Sequence, residues 1–194
     1  VASQAEDVFE QIEGLSGDML IVDTPGQVEL FAFREASSHL VDVLGQGRAC
    51  LVFLFDPMLS RTPSGFVSQM LLSSIVHFRL GLPTANFLSK TDLLEPEELE
   101  KIMEWGDNLD ILEVALYEES ENQANDARSG SQRAEFAIGQ LRMMQNAAIQ
   151  PGLIPLSSEV EDGLADVLTF AQTMFGGMGD TRDGYAGDIE DERL

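Results

Sequence analysis

Positive charge is scarce in this 194-residue sequence. Eleven lysine and arginine residues stand against 34 aspartate and glutamate residues, which gives a formal net charge of −23 at pH 7. Phosphate groups repel so acidic a chain, so we predict no direct partner among nucleic acids or anionic membranes. The acidic residues indicate either an ordinary solvated surface or adaptation to high salt, which screens self-repulsion to about 3 Å at 1 M. We favour a halophilic origin.

Cysteine and long apolar runs are also scarce. The single cysteine, Cys50, cannot form a disulfide within the chain, and its apolar neighbours favour a small buried side chain. No apolar run reaches the roughly 18 residues that a membrane-spanning helix needs. The first ten residues, VASQAEDVFE, show neither the basic region nor the apolar region of a signal peptide. We therefore expect a protein of the reducing cytoplasm.

Short apolar runs alternate with segments of helical length. The runs are Met19–Val22, Ala49–Phe55, Thr84–Leu88 and Leu153–Leu156, and helices are predicted over about 1–13, 28–44, 63–80, 95–105 and 160–175. Runs that are apolar throughout are typical of parallel strands covered by helices on both faces. The alternation predicts an α/β fold with three layers, α/β/α, and a mainly parallel sheet.

A long segment separates the third run from the fourth. Residues 93–152 are predicted to form a helical insertion, within which the polar stretch 118–132 fits either a loop or a solvated helix end. Residues 176–194 are rich in glycine and aspartate with few apolar residues, so we predict a disordered tail there. Residues 1–175 are then predicted to form one partial domain.

The first candidate site follows the first apolar run, at Asp23-Thr24-Pro25-Gly26-Gln27. Open parallel sheets bind ligands beyond the carboxyl ends of their strands. A carboxylate there can hold a Mg²⁺ ion that bridges phosphates. Gly26 lets a backbone N–H approach a phosphate without an intervening Cβ, and Gln27 can orient a water molecule. The alternative is an ordinary turn that Asp23 caps.

Two further candidate sites follow the third and fourth runs. Asp92, two residues beyond Lys90, can accept hydrogen bonds from N1–H and N2–H₂ of guanine, a pair of donors that adenine lacks. After the fourth run, backbone N–H groups near Ser158 can meet the guanine O6. The alternatives are a solvated Lys–Asp pair and a capping box that precedes a helix.

The order and placement of the three motifs resemble the third, fourth and fifth motifs of the GTPase superfamily. The form DTPGQVELF, with Glu29 two residues beyond Gln27, is similar to that of the GPN-loop GTPases. The segment LFAFREASSHLVDVL and the insertion between the fourth and fifth motifs are similar too. The resemblance covers residues 19–175 and implies a P-loop NTPase-like fold with GTP and Mg²⁺ as ligands and GTP hydrolysis as activity. It further implies a homodimer and, from the eukaryotic members, a protein client such as RNA polymerase.

The resemblance also implies roles for individual residues. The implied catalytic residues, which work at the attacking water, are Asp23, Gln27 and Glu29, with Asp23 also at the metal. The implied nucleotide-binding residues are Gly26, Lys90, Asp92 and Ser158. Ser89 stands where the family usually has an asparagine that tethers neighbouring loops.

Two family motifs are absent from these 194 residues. The phosphate-binding loop G-x-x-x-x-G-K-[ST] needs a Gly-Lys pair, yet Lys90 follows serine and Lys101 follows glutamate, and no Gly-Pro-Asn occurs. That loop supplies backbone N–H groups, a lysine charge and a hydroxyl for Mg²⁺. We therefore expect an N-terminally truncated GTPase domain with little activity alone. The alternatives are a non-catalytic interaction subunit that has lost the loop and, less favoured because of Asp92, an ATPase related to MinD.

Overall fold

A parallel sheet of three strands forms the centre of the protein. The computed structural model describes residues 19–24, 26, 28, 32–33, 41, 49–124 and 129–175. Its strands are β1 (Leu51–Phe55), β2 (Thr84–Leu88) and β3 (Leu153–Pro155), which lie in that order. All pairings are parallel, with Phe55 opposite Leu88 and Leu88 opposite Pro155. The carboxyl ends of the three strands therefore lie at one edge.

Helices connect the strands. They are α1 (Pro57–Ser60), α2 (Pro63–Leu80), α3 (Pro96–Asp107), α4 (Leu109–Ala124), α5 (Ser129–Asn146) and α6 (Leu164–Phe175), and a 3₁₀ turn covers Thr91–Leu93. The predicted strand over 84–88 and the predicted helix over 63–80 have the observed bounds. The predicted helices over 95–105 and 160–175 correspond to α3 and α6. None of the helices in the described part of the chain is long and apolar enough to cross a bilayer.

Local sequence explains why α2 begins and ends where it does. The Thr62 hydroxyl accepts a hydrogen bond from the Gly65 N–H at 3.2 Å, and Pro63 occupies the first helical position, where its fixed φ suits a helix. Gly81 ends the helix with a φ of +64°, a conformation that glycine adopts without a steric cost.

A row of contacting aromatic side chains forms part of the core on one face of the sheet. Phe53 and Phe55 of β1 lie 5.7 Å apart, Phe55 lies 5.6 Å from Phe66 of α2, and Phe66 lies 6.0 Å from Trp105 of α3. Trp105 is only 1% exposed. Burial of rings of this size is a large part of the hydrophobic stabilisation, and it fixes α2 and α3 against β1.

The prediction of a buried strand at Met19–Val22 is wrong. These residues form no strand, and their side chains are between 46% and 83% exposed. Apolar content alone cannot make a strand, because the backbone N–H and C=O groups need a partner, and no described strand pairs with this run. Burial on both faces is also incomplete for β1, since Leu54 is 53% exposed on the face opposite Phe53 and Phe55.

Three helices, α3 to α5, lie between β2 and β3. Helices α4 and α5 run antiparallel, since Arg142 contacts Glu113 while Gln145 contacts Asp110. The polar stretch 118–132 belongs largely to the ends of these two helices, which is the second of the two predicted alternatives. Most of the helices predicted over 1–13 and 28–44, and the tail 176–194, lie outside the described residues.

Candidate functional site

Two loops and the first turn of a helix meet at the carboxyl edge of the sheet. Asp56 follows β1 and caps α1, where its carboxylate accepts hydrogen bonds from two backbone N–H groups at 2.8 and 3.1 Å. The β2 loop (Ser89–Leu94) follows β2, and the β3 loop (Leu156–Gly163) follows β3. This is the edge at which open parallel sheets bind ligands.

Backbone hydrogen bonds hold the β2 loop between its neighbours. The Ser89 N–H and hydroxyl both donate to the Phe55 carbonyl, at 3.0 and 2.9 Å. On the other side, the Thr91 N–H donates to the Leu156 carbonyl at 3.2 Å. Ser89 therefore tethers the loop to the end of β1 through its hydroxyl, at the position where an asparagine was the expected residue.

Lys90 has a left-handed backbone conformation, with φ +53° and ψ +45°. For a residue with a Cβ this conformation costs about 1–2 kcal/mol. It starts the 3₁₀ turn, which is closed by the hydrogen bond from the Leu93 N–H to the Lys90 carbonyl at 3.0 Å. The Lys90 side chain is exposed and forms no ion pair with Asp92 or any other described residue, so the alternative of a Lys–Asp pair is not what the structure shows.

One side chain holds Asp92 in place. The Ser157 hydroxyl donates a hydrogen bond to Oδ1 of Asp92 at 2.5 Å, and Ser157 is only 1% exposed. Ser157 is fixed in turn, because its N–H donates to the Asp162 carbonyl at 2.9 Å and its hydroxyl accepts from the Glu159 N–H at 3.2 Å. The second carboxylate oxygen of Asp92 has no hydrogen-bond donor among the described residues, and Asp92 is exposed. An oriented acceptor thus faces the solvent.

Sequence reasoning selected Ser158 and missed Ser157. Ser158 is exposed and directly follows Ser157, the residue that contacts Asp92. The capping-box alternative does not hold, since α6 begins only at Leu164 and the Ser157 hydroxyl contacts Asp92 instead. The Ser-Ser pair was the only available signal, and the sequence did not show which of the two side chains turns inward.

A glycine allows the β3 loop to close on its own strand. Gly163 has a φ of +71°, and a Cβ at this position would lie 2.0 Å from the Pro155 carbonyl oxygen. No residue with a side chain fits there without a backbone shift. Gly163 therefore fixes the path of the loop that carries Ser157 and Ser158.

The residues predicted at the phosphate end are placed differently. Asp23 is exposed, outside any helix or strand, and forms no hydrogen bond or ion pair with another described residue. A Cβ at Gly26 would meet no atom within 4 Å, so its described surroundings do not themselves require glycine. Gln27 and Glu29 lie outside the described residues. The structure thus joins the Lys90–Asp92 turn to the loop of Ser158, but it shows no contact between Asp23 and either of them.

No group of three or more metal-binding side chains is present in the part of the chain that the structure describes. This is compatible with Mg²⁺, which usually takes only one or two protein carboxylates and completes its shell with phosphates and water. Asp23 as a single exposed carboxylate fits that demand.

A pocket of about 320 Å³ lies away from this edge, at the ends of α3 and α5. Asp107 and Asp110 are among its lining residues. A Cβ on the neighbouring Gly106 would lie 3.0 Å from Leu153, the first residue of β3, which places the end of α3 at the amino edge of the sheet. The pocket is therefore separate from the loops that carry Asp92 and Ser157.

Comparison with known proteins gives a consistent assignment. Residues 1–177 match the model of a family described as "Conserved hypothetical ATP binding protein". The chain is 26% identical over 163 residues to GPN-loop GTPase PAB0955 of Pyrococcus abyssi, and the aligned region covers 84% of this chain and 61% of that protein. It is 37% identical over 87 residues to GPN-loop GTPase 2 of Xenopus laevis, and the aligned region covers 44% of this chain and 27% of that protein.

The fold has a known counterpart. The crystal structure of PAB0955, a GTPase in apo form from Pyrococcus abyssi, matches with a TM-score of 0.71 over 89% of this chain and 66% of that chain, at 24% identity. This likeness confirms the α/β/α layered fold of the P-loop NTPase type. The chain spans about 61% of the length of PAB0955. Because the family model matches residues 1–177 of the 194, the chain belongs to that family, and the relatives it resembles are named GPN-loop GTPases.

Proposed function

We propose that the protein binds guanine nucleotide and hydrolyses GTP with Mg²⁺. The observation that carries the proposal is the exposed Asp92 carboxylate, which the buried Ser157 hydroxyl orients at the carboxyl edge of a parallel sheet. Family membership supports the same function, since the relatives named above are called GTPases.

The description of the matching family names ATP, whereas the names of the relatives point to GTP. The geometry favours guanine. A carboxylate accepts hydrogen bonds only, and guanine presents two adjacent donors, N1–H and N2–H₂, where adenine presents an acceptor at N1. A site that offers a fixed acceptor to a base without the donors leaves that acceptor unpaired, which costs affinity. Ser158 would then offer its backbone N–H to O6.

The remaining roles are those that the resemblance to the GPN-loop GTPases implies. Asp23 would hold Mg²⁺, which when bound neutralises charge on the β- and γ-phosphates. Gln27 and Glu29 would position the water that attacks the γ-phosphorus, and Gly26 would bring its N–H to the γ-phosphate. The products are GDP and inorganic phosphate. Catalysis of this type depends on positioning and charge stabilisation.

The 194 residues contain no G-x-x-x-x-G-K-[ST] sequence, so we expect the chain by itself to bind GTP weakly and to turn it over negligibly. Phosphate release from GTP above the blank, by this chain alone in KCl and Mg²⁺, would contradict the view that such a loop is essential. We also propose, on the family resemblance, a cytoplasmic homodimer with a protein client such as RNA polymerase, and light scattering tests the dimer.

Base recognition can be tested on the chain as it is. ¹H–¹⁵N spectra would be recorded while Mg²⁺ and GDP, IDP, XDP or ADP are added to millimolar concentration. We expect GDP to shift the amide signals of the β2 loop and the β3 loop, IDP to do so more weakly because it lacks the N2 amine, and ADP to leave them unchanged.

The decisive variant is Asp92→Asn. Its amide can donate to the O2 of xanthine, so the preference for GDP should fall and binding of XDP should rise. Asp107→Asn is the matched control, because it removes the same charge at the amino edge of the sheet. Equal shifts with GDP and ADP on the unaltered chain would overturn guanine recognition, and no shifts with any nucleotide would favour a non-catalytic interaction subunit.

A further inference from the structure

We propose that Arg61 is a positioning residue for base recognition, acting through the β2 loop. Arg61 follows α1, so it belongs to the segment that leaves β1 and not to either loop that would meet the base. Its guanidinium nonetheless reaches the β2 loop from outside. The inference rests on the proposed function, since it assigns a residue that would set the accuracy of the same site.

One nitrogen of Arg61 joins the loop to the helix that follows it. Nη2 donates to the Leu93 carbonyl at 3.3 Å and to Oε2 of Glu98 at 3.0 Å. The same Glu98 oxygen accepts the Glu95 N–H at 3.1 Å, as part of the capping box that starts α3. Arg61 therefore fixes both the last residue of the 3₁₀ turn and the first turn of α3.

The β2 loop needs such a restraint. Lys90 is held at φ +53°, which is unfavourable for a lysine and persists only where the surroundings enforce it. On the inner side, Ser89, Thr91 and Asp92 are tied to β1 and to the β3 loop by hydrogen bonds. On the outer side, Leu94 packs against the core, and the described hydrogen bond from another part of the chain is the one from Arg61 to Leu93. Without that bond, no described hydrogen bond from a distant residue holds this side of the turn.

A role in general stability is the competing explanation, and it makes a different prediction. The Arg61 and Glu98 side chains are 39% and 38% exposed, and exposed ion pairs contribute little to stability. If Arg61 acts only on stability, its removal lowers the melting temperature slightly and leaves the relative affinities for bases unchanged. If it positions Asp92, the preference for GDP over IDP falls, because that preference reports the hydrogen bond to the N2 amine.

The test compares Arg61→Ala with Arg142→Ala. Arg142 also makes an ion pair, with the half-buried Glu113 at 2.7 Å, on the α4–α5 pair. Amide hydrogen exchange would be measured at Leu93 and Leu94, and dissociation constants for GDP, IDP and ADP would be obtained from the ¹H–¹⁵N titration. We expect Arg61→Ala to speed exchange at both amides and to reduce the GDP:IDP preference by about two- to fivefold, the range for loss of an exposed charged contact. Arg142→Ala should change neither.

Arg61→Lys provides the rescue. Because both contacts come from a single nitrogen, a lysine ammonium can make them, and we expect the exchange rates and the base preference to return toward those of the unaltered chain. Unchanged exchange in Arg61→Ala, or faster exchange with an unchanged GDP:IDP preference, overturns the inference while the proposed function stands. If the unaltered chain itself does not prefer GDP to ADP, the proposed function fails, and the assignment of Arg61 to base recognition fails with it.

Discussion

Ser157→Ala tests the base-recognition geometry most directly. The change removes a hydroxyl from a residue that is 1% exposed, and with it the donor that lies 2.5 Å from Oδ1 of Asp92. It also removes the acceptor of the Glu159 N–H at 3.2 Å. The backbone bond from the Ser157 N–H to the Asp162 carbonyl remains, so the β3 loop should keep its path.

The size of the effect follows from the kind of bond that is lost. A hydrogen bond to a charged group contributes about 1.5–3 kcal/mol. Since Asp92 is exposed, water can replace the hydroxyl in the free protein, so the lower end of the range applies. About 1.4 kcal/mol is a factor of ten in an equilibrium constant. We therefore expect the dissociation constant for GDP to rise about tenfold and the free energy of unfolding to fall by about 1.5 kcal/mol.

The assay is the same ¹H–¹⁵N titration with GDP and IDP, together with urea denaturation. Ser158→Ala is the matched control. Ser158 is exposed and would offer only its backbone to the base, so the variant should bind GDP as tightly as the unaltered chain. A Ser157→Ala variant that retains both the affinity for GDP and the preference over IDP would refute the argument that Ser157 orients Asp92. Equal losses in the two serine variants would refute it too.

Three further predictions test the fold, from Gly163, Gln69 and Cys50. Gly163→Ala should lower the free energy of unfolding, measured by urea denaturation, by about 2 kcal/mol or more, because it adds both left-handed strain and a clash with the backbone. Gly152→Ala is the control: its φ is +52° but the space around it is open, so it should show the strain alone. Gln69→Leu leaves the Asp56 N–H without its acceptor at 2.5 Å and should cost about 2 kcal/mol in the same assay. Burial raises the pKa of the Cys50 thiol, so its alkylation at pH 8, followed by mass spectrometry, should be slower in the native chain than in urea; equal rates would contradict this.

Local signals account for the parts of the fold that were predicted well. The bounds of α2 follow from Thr62, Pro63 and Gly81, which act on their own backbone and need no distant partner. Strand β2 has its predicted bounds, and it pairs with β1 on one side and β3 on the other. Met19–Val22 has the same apolar character without a described partner strand, and the strand prediction failed there.

The candidate site was predictable only in part. Asp92 was selected because a carboxylate after a strand can accept hydrogen bonds from guanine and because the motif order resembles that of the GTPases, and its role in base binding stays a prediction. Ser157 and Arg61 could not, since they act on the β2 loop from 65 and 32 residues away in the chain. The contact of Ser64 with Glu119, which fixes α4 to the start of α2 with hydrogen bonds of 2.9 and 2.7 Å, joins residues 55 positions apart. Contacts of this kind depend on how the elements pack, and no local pattern encodes them.

The insertion of α3, α4 and α5 between β2 and β3 has a consequence for the order of folding. The contacts of the α4–α5 pair are closer in sequence than the pairing of β3 with β2, and closing a longer loop costs more entropy. We expect the helices to form first and to shorten the loop that β3 must close. The Ser157–Asp92 bond would then be among the last to form, so that a chain arrested halfway has its helices but cannot yet distinguish one base from another.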